Sequence, residues 1–320
     1  METPRLSVVI PMYNEGENVR RTVAAVIAEL EPAGLSFELV CVNDGSSDDT
    51  LSVIRELAAA DSRVREAGHP VNRGRGAALR AGYAAAAGEY VVAIDADLSY
   101  HPRQIMQLVR RLEEPDAPDI ALASPYMPGG RTEGVAPLRL FISRAANVIL
   151  RQAMGRRYWT LTSVFRAYRR RVFECLELYS EGKDIHLETL AKAEAAGLKI
   201  VEVPAVLASR KRGKSKLKFR VTALSHLMFS FYEKPVLLFG VVGLVLILAA
   251  TGIAGYLFHL WLIERLNPTR PIVWLSVILL LAGLQIAGFA FISTQVSLLR
   301  RELYRTQKEI LLLRHGRGEK

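Results

Sequence analysis

Residues 90–102 read YVVAIDADLSYHP, an apolar run, Tyr90–Ile94, that stops at Asp95-Ala96-Asp97. A short apolar run closed by polar residues suits a buried strand. Two carboxylates at such a strand end form an oxygen-donor pair for a hard divalent cation. Mg²⁺ takes one or two protein carboxylates and completes its shell with water and phosphate oxygens. A cation held there neutralises a diphosphate leaving group. The same residues admit a plainer reading, in which Asp97 or Ser99 is the N-cap of a helix starting near His101.

The sequence on both sides repeats the strand-then-polar pattern. Upstream, Leu6–Pro11 reads as a buried strand, Glu17–Leu30 as a helix, and Phe37–Asn43 as a second strand ended by Asp44-Gly45-Ser46-Ser47. Asp48–Ala60 reads as a helix with acids at its start, where the helix dipole favours them. Gly74–Ala87 reads as an alanine-rich helix. Downstream come a helix at His101–Leu112, a strand at Ile120–Ser124, a loop at Pro125–Gly134 and a helix at Leu138–Ala153. A short strand within Thr160–Arg170, a helix at Ile185–Ala196 and a strand at Ile200–Ala208 follow. This alternation predicts an α/β domain, Rossmann-like, with a mainly parallel sheet and helices on both faces. Ligands of such sheets bind at the carboxyl ends of the strands, where Asp44, Asp95 and Asp97 fall. Asn72-Arg-Gly-Arg-Gly-Ala77 brings cations and pliable backbone to a helix N-terminus, a natural phosphate neighbourhood.

The rest of the chain is of another kind. Val236–Ile263 and Pro271–Leu299 contain no Asp, Glu, Lys or Arg. A bilayer core takes about 20 apolar residues as a helix, so each stretch reads as a transmembrane span. The net charge is +10, but residues 1–209 hold 25 Lys and Arg against 27 Asp and Glu. The basic excess flanks the spans: eight basic residues and one acid over 210–234, and seven against three after Leu299. That placement argues for a membrane rather than a nucleic acid as the partner of the positive charge. It puts both termini and the catalytic part in the cytoplasm, with the short loop at Glu264–Arg270 outside. Phe219–Tyr232 is amphipathic and reads as an interfacial helix. The expected organisation is a cytosolic domain over 1–217, an interfacial helix over 218–234, a two-helix hairpin over 235–299 and a basic tail over 300–320. The tail has helical spacing over Arg300–Arg314 and is a candidate for homo-oligomer formation. The start of the chain reads as a β-like run rather than a signal peptide. Cys41 and Cys175 form no motif and read as reduced core residues.

The order of motifs is more specific than any one of them. Pro11-Met-Tyr-Asn-Glu15, Asn43-Asp-Gly-Ser46, Asn72-x-Gly-x-Gly76, Asp95-Ala-Asp-Leu-Ser99 with His101-Pro102, Leu161-Thr-Ser-x-Phe-Arg166 and Arg210-x-x-Gly-x-Ser-Lys216 occur in this sequence. In that order they resemble glycosyltransferase family 2 enzymes of GT-A fold, and within them the polyprenyl-phosphate sugar synthases, over roughly residues 5–235. The resemblance implies a hexosyltransferase that moves one sugar, with inversion, from a nucleotide sugar (GDP-mannose or a UDP-hexose) to a dolichyl or undecaprenyl phosphate, using Mg²⁺ or Mn²⁺. It implies that Pro11, Tyr13, Glu15 and Asp44 hold base and ribose, with Arg75 close to the nucleotide. Asp95 and Asp97 would bind metal and diphosphate, with Ser99 beside them. Arg139 and Ser143 would grip the acceptor phosphate with Arg210 and Lys216, so that Asp97, Arg139, Ser143 and Arg210 carry catalysis. Pro125 stands where the mannose synthases carry an acceptor-contacting arginine, and Thr160 where they carry aspartate. Arg131, Arg144 and Lys214 are the alternative phosphate ligands.

Three rival functions make different demands. A processive polysaccharide synthase needs more helices and usually Gln-x-x-Arg-Trp, whereas Gln107-Leu-Val-Arg110 is followed by Arg111. A nucleotidyltransferase needs a glycine-rich loop after the first strand, which Pro11–Glu15 is not. A catalytically degenerate membrane scaffold would keep Asp95 and Asp97 without transfer. His186 reads as a core histidine, and Glu188 as either a donor contact or a structural acid.

Overall fold

The computed structural model describes residues 3–137, 140–141, 143–144, 147–148, 151, 158–209, 239–263, 265, 267 and 271–317. Arg139, Arg210, Lys214, Lys216 and the expected interfacial helix lie outside the described residues. By contact the chain divides into one unit of Met1–His226 with Leu303–Lys320 and another of Leu227–Glu302.

The first unit is built on a seven-stranded sheet. Strands β1 (Leu6–Met12) and β2 (Phe37–Asp44) are buried along nearly their whole length, as continuous apolar strands covered on both faces should be. Between them runs α1 (Gly16–Leu30), and α2 (Thr50–Ala60) leads to β3 (Val64–His69). Next come α3 (Arg75–Ala85), β4 (Tyr90–Ala93), a 3₁₀ turn at Pro102–Gln104 leading into α4 (Ile105–Glu113), and β5 (Ile120–Ser124). Further on lie β6 (Arg131–Glu133), β7 (Arg166–Arg169), α5 (Arg171–Cys175), α6 (Ile185–Ala195), β8 (Ile200–Pro204) and β9 (Val206–Ala208). The sheet order is β3-β2-β1-β4-β7-β5-β8, and only β7 runs antiparallel to its neighbours. The chain winds outward from β1 to β3 on one side and then crosses to β4 on the other. That reversal puts the switch point between β1 and β4, the usual ligand crevice of an open sheet. Because β7 runs the other way, the segment leading into it arrives at the carboxyl edge of its parallel neighbours.

The expected mainly parallel α/β domain is present. Three local differences have physical reasons. β3 escapes the sequence pattern because it is an edge strand in which only Val64 is fully buried. Ile200–Ala208 is two strands rather than one: β8 pairs with β5, then β9 pairs with β6 in a separate two-stranded sheet. The change falls at Pro204, which has no N–H to continue a ladder. β6 lies within the expected loop at 125–134, and its three residues are too few to show a period. Cys41 and Cys175 are buried and form no disulfide, as expected. Burial alone pushes the Cys41 thiol up to about 12.

The second unit holds two helices long and apolar enough to cross a membrane. They belong to α7 (Val241–Leu262) and α8 (Pro271–Arg317). At 1.5 Å per residue the 47 residues of α8 span about 70 Å, more than twice the roughly 30 Å hydrocarbon core of a bilayer. Within the unit, α7 and α8 meet at glycines. A Cβ on Gly283 would lie 2.8 Å from Ile247 Cγ1 and 3.0 Å from the Gly243 carbonyl oxygen. Small residues at such a crossing allow helices to pack in lipid, where no hydrophobic force drives them together. Gly283→Leu is therefore expected to destabilise the hairpin by about 1–3 kcal/mol. A lower melting temperature in detergent checks this, and an unchanged one excludes Gly283 as the crossing point.

Candidate active site

The loops after β1 and β2 are fastened to each other at the carboxyl edge of the sheet. The Asn14 amide donates to Ser46 Oγ (3.0 Å), and the Ser47 amide to Asn14 Oδ1 (2.8 Å). The Glu15 amide donates to Thr50 Oγ1 (2.8 Å) and the Gly16 amide to Asp48 Oδ2 (3.1 Å). Asn14 sits at φ +51°, a conformation that asparagine tolerates better than most residues. Burial pushes the Asp48 carboxyl up, but the Thr50 hydroxyl and the amides of Gly16 and Thr50 outweigh it and hold the group below its ordinary value. Tyr13, just before these fastened residues, is 40% exposed. Glu15 Oε2 accepts from Asn18 Nδ2 (2.7 Å), at the start of α1. The sequence did not single out Asp48 or Thr50, although an acid and a hydroxyl two residues apart before a helix signal such a turn.

The carboxylate pair follows β4. From α1, the Thr22 hydroxyl donates to the Ala96 carbonyl (2.6 Å) and fixes the turn from below. Asp97 Oδ1 accepts from the Ser99 amide (2.9 Å) and the Ser99 hydroxyl (2.6 Å), while Leu98 takes φ +54°. The helical turn that follows is capped by His101, whose Nδ1 accepts from the Arg103 amide (3.2 Å). Neither Asp97 nor Ser99 caps it. The N-cap alternative therefore fails, and the two bonds from Ser99 keep Asp97 Oδ1 within its own turn. Asp95 lies 3.5 Å from Arg75 Nη2, both side chains partly exposed. Asp95 thus stands beside Arg75 and Asp97 beside Ser99, with the two carboxylates two residues apart after one strand. No cluster of three or more potential metal ligands exists among the described residues. A two-carboxylate set fits a cation that draws its remaining ligands from diphosphate and water.

Arg75 owes its place to a doubly gripped loop. Asp44 is buried, and its two carboxylate oxygens accept the amides of Arg73 and Gly74, each at 2.9 Å. From the other side the Glu181 carbonyl accepts the amides of Gly76 (2.7 Å) and Ala77 (3.3 Å). The N-terminus of α3, expected from sequence to be a phosphate neighbourhood, is instead occupied by the protein's own backbone. A Cβ at Gly76 would sit 2.4 Å from the Ser180 carbonyl oxygen, which leaves no room for an anion on these amides. The cationic side chain of Arg75 remains partly exposed at this end of the helix, beside Asp95.

The edge near β5 and β7 is organised differently. Thr160 is buried, with its hydroxyl 2.8 Å from Ser124 Oγ. The Glu202 carboxylate accepts the amides of Trp159 and Thr160, each at 2.9 Å. An acid inside the apolar run of β8 was the sequence signal for that role. The Leu161 amide donates to Asn147 Oδ1 (2.8 Å). Tyr126 donates its hydroxyl to Ser143 Oγ (2.7 Å), and the Arg144 guanidinium lies 6.0 Å from the Tyr126 ring centre. Ser143, the one expected acceptor-phosphate residue within the described part, thus stands beside the loop that follows β5. Gln107 of the Gln-x-x-Arg stretch lies on α4 and donates to the Pro204 carbonyl (3.2 Å). His186 is a buried core residue, in line with expectation. Glu188 resolves to the structural alternative: its oxygens accept the amides of Tyr179 (3.0 Å) and Ser180 (2.8 Å), and Lys192 Nζ is 2.7 Å away. Burial pushes the Glu188 carboxyl up, but Lys192 and these donors prevail and hold it low. Its stabilising contribution is therefore fully present above its ordinary value of 4.5 and is lost only as pH falls through the lowered one.

Comparison with known proteins identifies the family and the fold. The dolichol-phosphate mannosyltransferase of Pyrococcus furiosus is 35% identical over 216 residues, 67% of this chain and 59% of that protein. The chain thus spans less than two thirds of that relative's length. The polyprenol monophosphomannose synthase of Mycolicibacterium smegmatis is 34% identical over 227 residues, 67% of this chain and 82% of that protein. Among solved structures, glucosyl-3-phosphoglycerate synthase from Mycobacterium tuberculosis in complex with Mn²⁺, UDP-glucose and phosphoglyceric acid superposes with a TM-score of 0.53 at 25% identity, covering 72% of this chain and 79% of that one. The fold is thus GT-A. The family model for glycosyl transferase family 2 matches residues 7–177, more than half of the chain, and the chain belongs to that family.

Proposed function

We propose that the chain transfers a single sugar from a nucleotide sugar to a polyprenyl phosphate, with inversion. The donor would be GDP-mannose or a UDP-hexose. The observation that carries this reading is the Asp95–Asp97 pair beside Arg75 at the β1/β4 switch point, in a chain with two bilayer-length helices. The named relatives support a polyprenyl phosphate as acceptor, and the structural neighbours crystallised with Mg²⁺ and UDP or with Mn²⁺ and UDP-glucose support a nucleotide-sugar donor.

In this reading Tyr13 and the fastened loops 13–16 and 44–50 receive base and ribose, with Pro11, Glu15 and Asp44 shaping the pocket floor. Asp95 and Asp97 would hold Mg²⁺ or Mn²⁺. When bound, that cation supplies charge neutralisation for the departing diphosphate. Arg75 adds a fixed positive charge on the same side, and Ser99 keeps Asp97 oriented. Ser143, with Arg139, Arg210 and Lys216, holds the acceptor phosphate. A phosphate oxygen is already anionic near neutral pH, so alignment rather than a general base is what the protein must provide. The bond from the anomeric carbon to the diphosphate breaks, its electron pair leaving with the nucleotide. A bond to the lipid phosphate forms on the opposite face, so no proton need move. The catalytic part, residues 1–217, faces the cytosol, with the basic flanks at the headgroup plane.

The test is incubation of the purified full-length protein in detergent with Mn²⁺ or Mg²⁺, undecaprenyl or dolichyl phosphate, and a panel of GDP- and UDP-sugars. A glycolipid with one sugar and one phosphate, of inverted anomeric configuration, together with released nucleoside diphosphate, is expected. Chelation with EDTA should stop the reaction and added Mn²⁺ restore it. Nucleotide binding without product from any donor would overturn the assigned acceptor.

A further inference from the structure

We propose that the ion pair between buried Lys192 and half-buried Glu188 is a positioning device for the donor site, acting through the 178–182 loop on the first turn of α3 and so on Arg75. The inference rests on reading Arg75 and Asp95 as the diphosphate end of that site. The contacts run without a break. Glu188 accepts the amides of Tyr179 and Ser180, so its carboxylate sets the path of the loop. Lys192 is 3% exposed. It pairs with Glu188 and donates to the Glu177 carbonyl. It lies under the rings of Tyr179 (4.3 Å) and Tyr304 (5.3 Å), the latter from the part of α8 that groups with the catalytic unit. A buried ammonium without its carboxylate is strongly unfavourable, so the pair fixes both α6 and the loop.

The next residue of the loop does the gripping. Glu181 gives its carbonyl to Gly76 and Ala77 and its carboxylate to Arg73 (2.6 Å), while Arg80 Nη1 donates to the Leu178 carbonyl (3.0 Å). Asp44 holds the amides of Arg73 and Gly74 from the opposite side. The backbone on either side of Arg75 is therefore pinned twice, once from β2 and once from a loop that begins about a hundred residues later in the chain. Small displacements of a preorganised cation cost much of its effect on developing charge. An ion pair that served packing alone would be replaceable by apolar residues of similar size at little cost. This one is expected to be replaceable for folding but not for donor binding.

The experiment is a double-mutant cycle on the full-length protein in detergent, reading the affinity for UDP and GDP with Mn²⁺ by calorimetry. The variants are Arg75→Ala, the paired replacement Glu188→Gln with Lys192→Met, and all three changes together. The paired replacement removes both charges, so no orphaned ion compromises folding, and its melting temperature should stay close to that of the parent. Arg75→Ala and the paired variant are each expected to weaken binding by about tenfold, and the triple variant to bind no worse than Arg75→Ala, because residues acting in one chain are not additive. Glu188→Asp, which keeps the charge, should recover part of the affinity. A paired variant that binds like the parent, or whose loss multiplies with that of Arg75→Ala, overturns this inference alone. Unchanged binding in Arg75→Ala overturns the donor assignment of Arg75 and this inference with it.

Discussion

Asp97→Asn is expected to lower the rate of sugar transfer by about 10³-fold, some 4 kcal/mol of transition-state stabilisation, with the protein still folded and membrane-bound. The choice of asparagine follows from the geometry. Asp97 Oδ1 accepts both the amide and the hydroxyl of Ser99, and an asparagine carbonyl oxygen can accept the same two bonds. What it cannot supply is the negative charge needed to hold a divalent cation against a diphosphate. Asp97→Ala removes charge and acceptor together. If Asp97 only shaped its turn, asparagine would preserve activity and alanine would lose it. If the charge is what matters, both lose it, and Ser99→Ala loses about tenfold at most, because it removes one orienting bond only. Initial rates at saturating donor and Mn²⁺ decide between these cases. Full activity in Asp97→Asn would sink the metal-site reading.

The parts of this site that could be read from sequence share one property: they stand immediately after apolar runs that can only be buried strands. Asp44, Asp95 and Asp97 are legible because strand periodicity places them, and parallel topology then gathers them at one edge. The anchors of those residues are illegible for the converse reason. Nothing near Asn72–Ala77 tells that Glu181, a hundred residues on, will take the amides at the start of α3. The phosphate cradle expected there was a sound local reading that a distant backbone segment pre-empted. The division of Ile200–Ala208 into two strands is also a tertiary matter, since Pro204 is visible in the sequence but its partner strands are not. By contrast, the continuity of α8 past the apolar stretch is written locally. No glycine or proline interrupts residues 289–315, so the helix of the span has no reason to stop at Leu299. His101 as the cap was hidden by a more favoured capping residue, Ser99, two positions earlier. Only the hydrogen bond from Ser99 back to Asp97 shows that this serine is engaged elsewhere.

Arg166→Leu is expected to destabilise the catalytic unit by about 3–5 kcal/mol, the largest stability effect of any single change considered, because it strands several buried carbonyls at once. Arg166 is 0% exposed. Its guanidinium donates to the carbonyls of Ser163 (2.8 Å), His186 (2.9 Å) and Leu161 (2.6 Å). It thereby ties the segment entering β7 to the start of α6, and it does so from the first residue of the antiparallel strand at the centre of that half of the sheet. Leucine fills much of the volume but leaves those oxygens without donors in a region that water does not reach. Arg166→Lys keeps the charge, yet a single ammonium cannot reproduce a planar fork aimed at several separate acceptors, and a loss of about 2 kcal/mol is expected. Urea unfolding followed by circular dichroism measures both. A loss below about 1 kcal/mol for leucine would mean that the carbonyls find other partners and that Arg166 is a filler rather than a tie. The contrast with Asp97 is the informative part. Both residues belong to motifs on the same sheet edge, but one should lose activity with its melting curve unchanged and the other should lose stability first. Activity in Arg166→Lys should then fall with the folded fraction, whereas in Asp97→Asn it falls at full folding. That separation identifies which motif residues carry chemistry and which hold the edge on which the chemistry is arranged.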